Sequence, residues 1–393
     1  MPSSLAIRCW LATIGALAVG LVVPAAPSDF LMSFWGLSVQ RGYRARALPA
    51  TVLQLLGVER VSVRIVTWVS VVVLLVVLGL LVRLATAAHR AWPSWTTCLL
   101  GALLVGSPAT LRTLGFEPAA FDTLLLLVTS AALVVLLGDA GRWRLPVVGV
   151  LAAVGVLVHE GFVVLALPLL LAAVVVRADP APWRRVASEV AVVAALPLVA
   201  LAWVAAEPTL PREEVPERLA VVRSVVELGP NETKGRWAIL NHTRTLGDNL
   251  RYTADVVADR GHGSHLISLL ASAPTVAAAA IVGRRLAPRG RGALLGALWV
   301  GSTAAPLLLA PLGHDWGRWI AYAALNAVLG VAWLAARLRT TGEVRRTGAS
   351  RAVTHLTVGL TVLALLTPAY ARGGSVRARV GQPAEVAKVL LGR

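Results

Sequence analysis

The sequence predicts an all-α fold: a polytopic bundle of about eleven transmembrane helices that forms a single membrane domain over residues 1–393. Hydrophobic residues make up 57% of the 393 residues and charged residues only 15%. The apolar residues lie in repeated runs of about 17–25, and each crossing of a bilayer needs roughly 20. The loops between the runs alternate between Arg-rich and acidic, which is typical of a chain that crosses a membrane many times.

The predicted spans follow one another along the whole chain. The first begins beside Arg8, and the small residues Pro24, Ala25 and Ala26 would also suit a cleaved signal peptide over residues 1–26. Its long apolar core favours an uncleaved helix. The predicted spans lie at residues 5–24, 63–82, 95–112, 121–138, 145–158, 161–176, 187–205, 266–283, 292–311, 319–336 and 352–369.

The fifth and sixth spans form one apolar run that only His159, Glu160 and Gly161 interrupt. The run is either one long helix or a hairpin of two short helices. A hairpin places all the Arg-rich loops on one side of the membrane, so the charge pattern favours it. Each arm then measures roughly 21–24 Å, which is shorter than the hydrocarbon core of roughly 30 Å. His159 and Glu160 are therefore expected to lie below the outer surface and to line a cavity.

The Arg-rich short loops mark the cytoplasmic side, so we expect a cytoplasmic N-terminus and a long extracytoplasmic loop at 206–265. Helical patterns near 215–226 and 245–257 suggest that this loop is folded. In a chain without its two cysteines, labelling from the outside should modify a Thr233→Cys variant and spare a Thr340→Cys variant. The opposite labelling pattern would invert the topology.

The net charge of +17 comes mainly from arginines scattered through the loops. This scatter indicates orientation in the membrane and argues against nucleic-acid binding, because no basic fold or aromatic platform accompanies it. Lys234 and Lys388 are the only lysines, and Ala, Val and Gly are abundant, which is typical of a GC-rich bacterial genome. We therefore expect a protein of a bacterial plasma membrane. Cys9 and Cys98 fall inside apolar runs, which argues against a disulfide or a cysteine metal site.

The strongest polar motif on the predicted outer side is the segment 313–319, at the start of the tenth span. Asp315 and Arg318 are three residues apart and share one face of a helix. Arg318 can bind a phosphate with its planar guanidinium, beside His314, while Asp315 orients it or binds a divalent metal. The alternative is that Asp315 and Arg318 only cap the helix and that Trp316 and Trp319 anchor it at the interface.

His159 and Glu160 form an ionisable pair inside an apolar run, which points to a functional site. The alternative is a hydrogen-bonded turn that only ends two helices. The pair does not belong to a zinc-protease motif, because Val163 and Val164 stand where the second His would be needed. The spacing gives no support for a metal site here.

Other candidates lie on the same predicted side. Glu117 and Asp122 flank the start of the fourth span, where they are either acid–base partners or a helix cap with a favourable first-turn charge. Asp29 follows the first span. A set of arginines either gathers around a substrate phosphate or contacts solvent and lipid headgroups: Arg44, Arg46, Arg244 and Arg251.

The assembled pattern resembles the GT-C superfamily of membrane glycosyltransferases and the related polysaccharide polymerases. Asp29 lies in the first outer loop, where this family often places an acidic catalytic residue. His159-Glu160 resembles a pair found in many such enzymes. Asp315-x-x-Arg318-Trp319 is similar to a segment of surface-polysaccharide proteins. Leu31 stands where a second acid would complete the family's metal-binding motif, so the resemblance does not extend to that motif.

The resemblance implies sugar transfer on the outer face, from a polyprenyl-phosphate-linked donor in the membrane lipid to a glycan or lipid acceptor. Asp29 or Glu160 would deprotonate the acceptor hydroxyl. Arg318 and a histidine would stabilise the departing phosphate. A transporter or lipid flippase with an outward-facing polar cavity is the alternative. Carboxylates at the outer rim would favour the transferase, and carboxylates at the membrane midplane would favour the transporter.

Overall fold

The computed structural model describes most of the chain between residues 27 and 366. The described residues are 27–115, 121–138, 141–178, 181–229, 232–260, 263–287, 290–313, 315–338 and 351–366, with positions 7, 8, 10, 11, 13 and 15 of the first predicted span. Within them every regular element is a helix, and one isolated parallel bridge joins Val61 to Val226.

The helices are numbered here in chain order. They are α1 (Asp29–Phe34), α2 (Leu48–Leu55), α3 (Val63–Ala91), α4 (Trp95–Gly106), α5 (Pro108–Gly115), α6 (Phe121–Leu137), α7 (Arg144–Val158), α8 (Phe162–Leu165), α9 (Leu167–Ala178), α10 (Trp183–Ala205), α11 (Val215–Val225), α12 (Glu232–Leu240), α13 (Leu246–Arg260), α14 (Gly263–Leu286), α15 (Gly292–Ala304), α16 (Trp316–Leu338) and α17 (Arg351–Leu366).

Several of these helices are long and apolar enough to cross a membrane, which confirms a helical membrane protein. Among the described residues six stretches qualify: Val63–Ala91, Gly141–Val158, Trp183–Ala205, Leu266–Leu286, Gly292–Leu312 and Trp316–Leu338. Four shorter apolar helices occupy other predicted spans: Trp95–Leu111, Phe121–Leu137, Leu167–Ala178 and Thr354–Leu365. The total of eleven crossings stays a prediction, because these four fall short of the roughly 20 residues that one crossing needs.

The helix α16 lies at the centre of the bundle and is almost entirely buried. Its many alanines allow neighbouring helices to approach closely. Polar side chains then join the helices, since a buried donor needs a partner. The Asn326 amide donates to the carbonyls of Leu165 (2.7 Å) and Ser302 (3.1 Å), and the Trp333 indole donates to the Leu133 carbonyl (3.1 Å).

The apolar run from 145 to 176 turns back on itself, as the hairpin interpretation predicted. Helix α7 ends at Val158, and a side chain at Gly155 would collide with the Phe162 ring at 2.7 Å, so glycine lets the turn close. Gly149, in α7, lies close to the α10 backbone, since a Cβ placed on it would be 3.1 Å from the Val192 carbonyl oxygen. Arg177, at the end of α9, pairs with Glu189 of α10 (2.9 Å). The start of α7 and the end of α9 therefore lie at the same end of the bundle.

The long loop is folded against the segment that precedes α3. Helices α11 and α13 confirm the two helical patterns predicted within 206–265. Val61 donates its N–H to the Val225 carbonyl (2.7 Å) and accepts one from Glu227 (2.9 Å). The Arg218 guanidinium donates to the Arg41 carbonyl (3.2 Å). These contacts make one polar layer of residues 27–62 and 206–260 over one end of the bundle.

Glu207 is half-buried and connects two segments of this layer. Its carboxylate binds His242 Nδ1 (3.0 Å) and accepts backbone N–H bonds from Ala45 (2.7 Å) and Arg44 (3.1 Å). Burial would raise the pKa of Glu207, but the hydrogen bond with His242 and those from the two amides outweigh it, so the pKa lies below its usual range.

A Glu207→Gln variant is expected to lose about 1.5–3 kcal/mol of unfolding free energy at pH 7, because hydrogen bonds to a charged group are lost. The lowered folded-state pKa means that Glu207 stabilises the fold fully above the unfolded pKa of roughly 4.3. This contribution disappears as the pH falls toward the folded value. Between pH 6 and pH 3 the variant should therefore lose less stability than the wild type. The measurement is thermal unfolding at a series of pH values. The exposed Glu217→Gln is the matched control and should behave like the wild type.

Candidate functional site

His159 and Glu160 form the turn between α7 and α8. His159 has extended backbone (φ −160°, ψ 121°), and its N–H closes α7 on the Gly155 carbonyl (3.0 Å). The N–H of Gly161 donates to His159 Nδ1 (3.0 Å), so that nitrogen is an acceptor and the ring proton lies on Nε2. Burial lowers the pKa of His159 to about 3, and the Glu160 carboxylate opposes this only in part. The imidazole is therefore neutral at pH 7.

Glu160 is held by Arg46, which comes from the segment between α1 and α2. Arg46 Nη2 lies 2.6 Å from Oε1, and Nε lies 3.2 and 3.3 Å from the two carboxylate oxygens. Burial would raise the pKa of Glu160, but the positive charge of Arg46 outweighs it, so the pKa lies well below its usual range. The guanidinium also lies over the Phe34 ring, 5.2 Å from its centroid. Glu160 is thus a fixed carboxylate anion.

Arg46 has a left-handed backbone, with φ at +59°, and it is the only non-glycine residue of the described chain with positive φ. This conformation costs roughly 1–2 kcal/mol for a residue with a Cβ. Such strain tends to persist where the surrounding structure fixes it for a function. Arg46 therefore binds Glu160 from a backbone conformation that is less stable than the usual right-handed or extended ones.

Arg318 is held by Asp122 in the same manner. Its Nε and Nη2 lie 2.8 and 2.7 Å from the same oxygen, Asp122 Oδ1. The Tyr322 hydroxyl, one turn further along α16, donates to the Asp122 carbonyl (3.0 Å). Asp315 lies at 4.0 Å from Arg318 Nη1, which is beyond hydrogen-bonding distance. The pairing predicted within the 313–319 segment is therefore secondary, and the principal partner comes from α6.

The two pairs meet in one cluster. Phe34, which lies under Arg46, packs on Phe121 (centroids 5.9 Å apart), and Phe121 precedes Asp122. The charges of Arg46 and Arg318 both act on the His159 imidazole. We call this set the arginine–carboxylate cluster, and its members are Arg46, Asp122, His159, Glu160, Asp315, Arg318 and Tyr322.

The free edges of the two guanidinium groups decide what the cluster can bind. In both Arg46 and Arg318 the bonds to carboxylate use Nε and Nη2, and Nη1 makes no hydrogen bond to the described residues. Each Nη1 carries two N–H donors. Two guanidinium groups that are fixed in position and have a free edge can therefore bind phosphate oxygens without breaking either ion pair.

Four predicted site residues lie in this cluster: His159, Glu160, Asp315 and Arg318, with Asp122 as a fifth. The others lie elsewhere. The Asp29 carboxylate accepts the Gly229 N–H (2.7 Å), in the polar layer. Arg44 donates to the carbonyls at the end of α10 (3.1 Å to Ala206) and stacks on Trp203. Arg251 is exposed on α13, and its charge acts on Asp248. No described contact joins Asp29, Arg44 or Arg251 to the cluster, and their predicted roles stay predictions.

His314 and Glu117 lie outside the described residues. Among the described residues no group of three or more His, Cys, Asp and Glu side chains is placed to hold a metal ion. A divalent metal at Asp315 stays a prediction, since His314 beside it is not described. No member of the cluster lines either of two cavities described in the bundle, of about 620 and 610 Å³. The expectation that His159 and Glu160 line a cavity stays a prediction.

Sequence reasoning underestimated Arg46 and overlooked Tyr322. In the sequence Arg46 resembles three other arginines of the outer segments. Its neighbouring residues do not indicate a bond with Glu160, which is 114 residues away. Tyr322 follows Arg318 by four residues, which places both on one helix face, so its participation could have been inferred from spacing.

The chain matches no protein-family model, no curated protein sequence and no solved structure.

Proposed function

We propose that this protein is a membrane glycosyltransferase. It transfers a sugar from a polyprenyl-phosphate-linked donor to a glycan or lipid acceptor at the outer face of a bacterial plasma membrane. The observation that carries the proposal is the arginine–carboxylate cluster, in which Arg46 and Arg318 each keep a free donor edge beside three carboxylates. The sequence resemblance to the GT-C superfamily points in the same direction.

The two arginines bind the donor phosphate in this proposal. Electrostatic stabilisation is most effective when the donors are already fixed where charge develops. Glu160 holds Arg46, and Asp122 holds Arg318, so neither guanidinium needs to reorganise. Glu160 and Asp122 are therefore positioning residues, and the arginines contact the substrate.

Asp315 is the general base. Glu160 is a weak base because its pKa is held low, and His159 has its Nδ1 occupied by the Gly161 N–H. The Asp315 side chain is 40% exposed, so an acceptor hydroxyl can reach it, and its Oδ2 lies 4.0 Å from Arg318 Nη1. It takes the proton of the acceptor hydroxyl, whose oxygen forms a bond to the anomeric carbon. The bond from that carbon to the phosphate oxygen breaks, and its electron pair stays on the polyprenyl phosphate, beside the arginines.

The charges balance through this step. With all three carboxylates ionised the two arginines leave the cluster one negative charge in excess. The leaving phosphate gains one negative charge while Asp315 gains the proton. The increase in negative charge is therefore compensated inside the cluster at the moment when it develops.

The depth of the carboxylates supports the transferase over a transporter. Asp122 lies in the first turn of α6, Asp315 just before α16 and Glu160 in the turn after α7. In the described spans, carboxylates occur only within the first two turns of a helix, and none lies at the middle. Transporter sites typically lie near the membrane midplane.

The test is sugar transfer in proteoliposomes from a panel of polyprenyl-phosphate-linked sugars, with radiolabel followed into glycan and lipid products. We expect label transfer with at least one donor by the purified wild type. No transfer with any donor, together with substrate-driven transport across the same vesicles, would overturn the proposal.

A further inference from the structure

A cavity of about 610 Å³ lies at the opposite end of α6 from the arginine–carboxylate cluster. Asp122 begins α6, whereas Leu137 and Gly138 at its other end line the cavity. Its remaining wall comes from the last turns of α3 and from Arg8 of the first predicted span. The volume lies within the range of small-molecule sites, roughly 300–1,000 Å³.

Three arginines face this cavity: Arg8, Arg83 and Arg90. Arg83 and Arg90 are seven residues apart, which is almost two full turns of α3, so they share one face about 10 Å apart along the axis. None of the three forms an ion pair or hydrogen bond with a described residue, in contrast to Arg46 and Arg318. Asp139, which follows Gly138, lies outside the described residues. Three positive charges thus converge on one cavity.

We propose that this cavity binds the phosphate headgroup of an anionic phospholipid. The arginines stand beside an apolar wall that includes Val82, Val134 and Leu137. A phosphodiester would lie against the guanidinium groups, and the glycerol and first acyl carbons would lie against that wall. Basic pockets between transmembrane helices bind anionic lipid headgroups through this combination of charge and apolar surface.

Gly79 is an exposed residue of α3. It lines the cavity, and a Cβ placed on it would meet nothing within 4 Å. A Cβ at this position therefore meets no steric clash, and a large side chain would occupy part of the cavity while every arginine keeps its charge. Such a substitution would change the space available to a ligand and leave the net charge of the protein unchanged.

The experiment measures retention of phosphatidylglycerol against phosphatidylcholine by native mass spectrometry, with the full chain extracted from mixed-lipid nanodiscs. The Arg83→Gln/Arg90→Gln variant should lower phosphatidylglycerol affinity about fivefold for each arginine, or about 25-fold in total. Gly79→Phe should lower it to a similar extent. Arg64→Gln is the matched control: it removes one arginine from the other end of α3, outside the cavity, and should bind like the wild type.

Three results would overturn the proposal. An equal loss in Arg64→Gln would show that only overall charge attracts the lipid. Unchanged binding in Gly79→Phe would place the lipid outside the cavity. Displacement of the lipid by inorganic phosphate at comparable affinity would make a soluble phosphate the ligand. If the double arginine variant fails to fold, Gly79→Phe still decides, because it keeps every charge. The readout is independent of sugar transfer.

Discussion

An Arg318→Lys variant is expected to fold normally and to lose sugar transfer by a factor of roughly 10² to 10³. The lysine keeps the positive charge but has one nitrogen, whereas Arg318 binds Asp122 through two nitrogens, and its Nη1 makes no hydrogen bond to the described residues. A lysine ammonium can pair with Asp122 or contact the donor phosphate, but it cannot do both in a fixed geometry. Loss of one preorganised contact to developing charge typically costs about 2.7–4 kcal/mol in the barrier.

The assay compares initial rates in proteoliposomes at equal amounts of folded protein. Arg64→Lys, at the start of α3, is the matched control and should keep the wild-type rate. Tyr322→Phe removes the hydroxyl that donates to the Asp122 carbonyl (3.0 Å) and lies 3.3 Å from Asp122 Oδ1, so about a fivefold loss is expected from a net contribution of about 1 kcal/mol. Near-normal transfer by folded Arg318→Lys would show that the Asp122–Arg318 ion pair only connects α6 to α16 and has no role in catalysis.

Sequence patterns did not predict which residues pair in the cluster, because the partners are distant in the sequence. Hydropathy located the apolar helices because each is a local property of about twenty residues. The partner of Arg318 is 196 residues away, on α6, and local spacing pointed to Asp315 instead. Only the packing of α6 against α16 makes Asp122 the nearer carboxylate.

The hairpin at His159 was predictable for a different reason. Two ionisable residues and a glycine in an apolar run cannot lie against lipid without cost, so a turn at that point was expected. The arms are short, and α7 has 15 residues. The position of the turn therefore followed from the sequence, whereas its contact with Arg46 depended on how the 27–62 segment folds over it.

Arg44 makes contacts that the sequence pattern did not indicate. Its charge and its position in an outer segment suggested phosphate binding, as they did for Arg46 two residues later. In the structure Arg44 donates to carbonyls at the end of α10, where a helix leaves its last carbonyls without partners. Arg46 binds Glu160 instead, and its backbone is left-handed. Two arginines that look equivalent in the sequence therefore have different partners.

The left-handed backbone of Arg46 makes it informative to compare sugar transfer and stability in Arg46→Gly and Arg46→Ala variants. Both changes remove the guanidinium that Glu160 holds, so both should reduce transfer roughly 10² to 10³-fold in the same assay. They differ only in the Cβ, which a left-handed residue accommodates poorly. The glycine variant should therefore be more stable than the alanine variant by about 1–2 kcal/mol.

Thermal unfolding in detergent, with the transfer assay beside it, distinguishes the two contributions of Arg46. Loss of the ion pair is common to both variants and cancels in their difference. What remains is the strain of a left-handed residue with a Cβ, opposed by the larger conformational entropy of glycine in the unfolded chain. Equal stability would mean that position 46 relaxes out of the left-handed region once the guanidinium is removed. Retained transfer in the glycine variant would show that the donor phosphate does not depend on Arg46. Lost transfer in a glycine variant that is more stable than the alanine variant would mean that the strain at Arg46 is maintained for substrate binding, at the expense of stability.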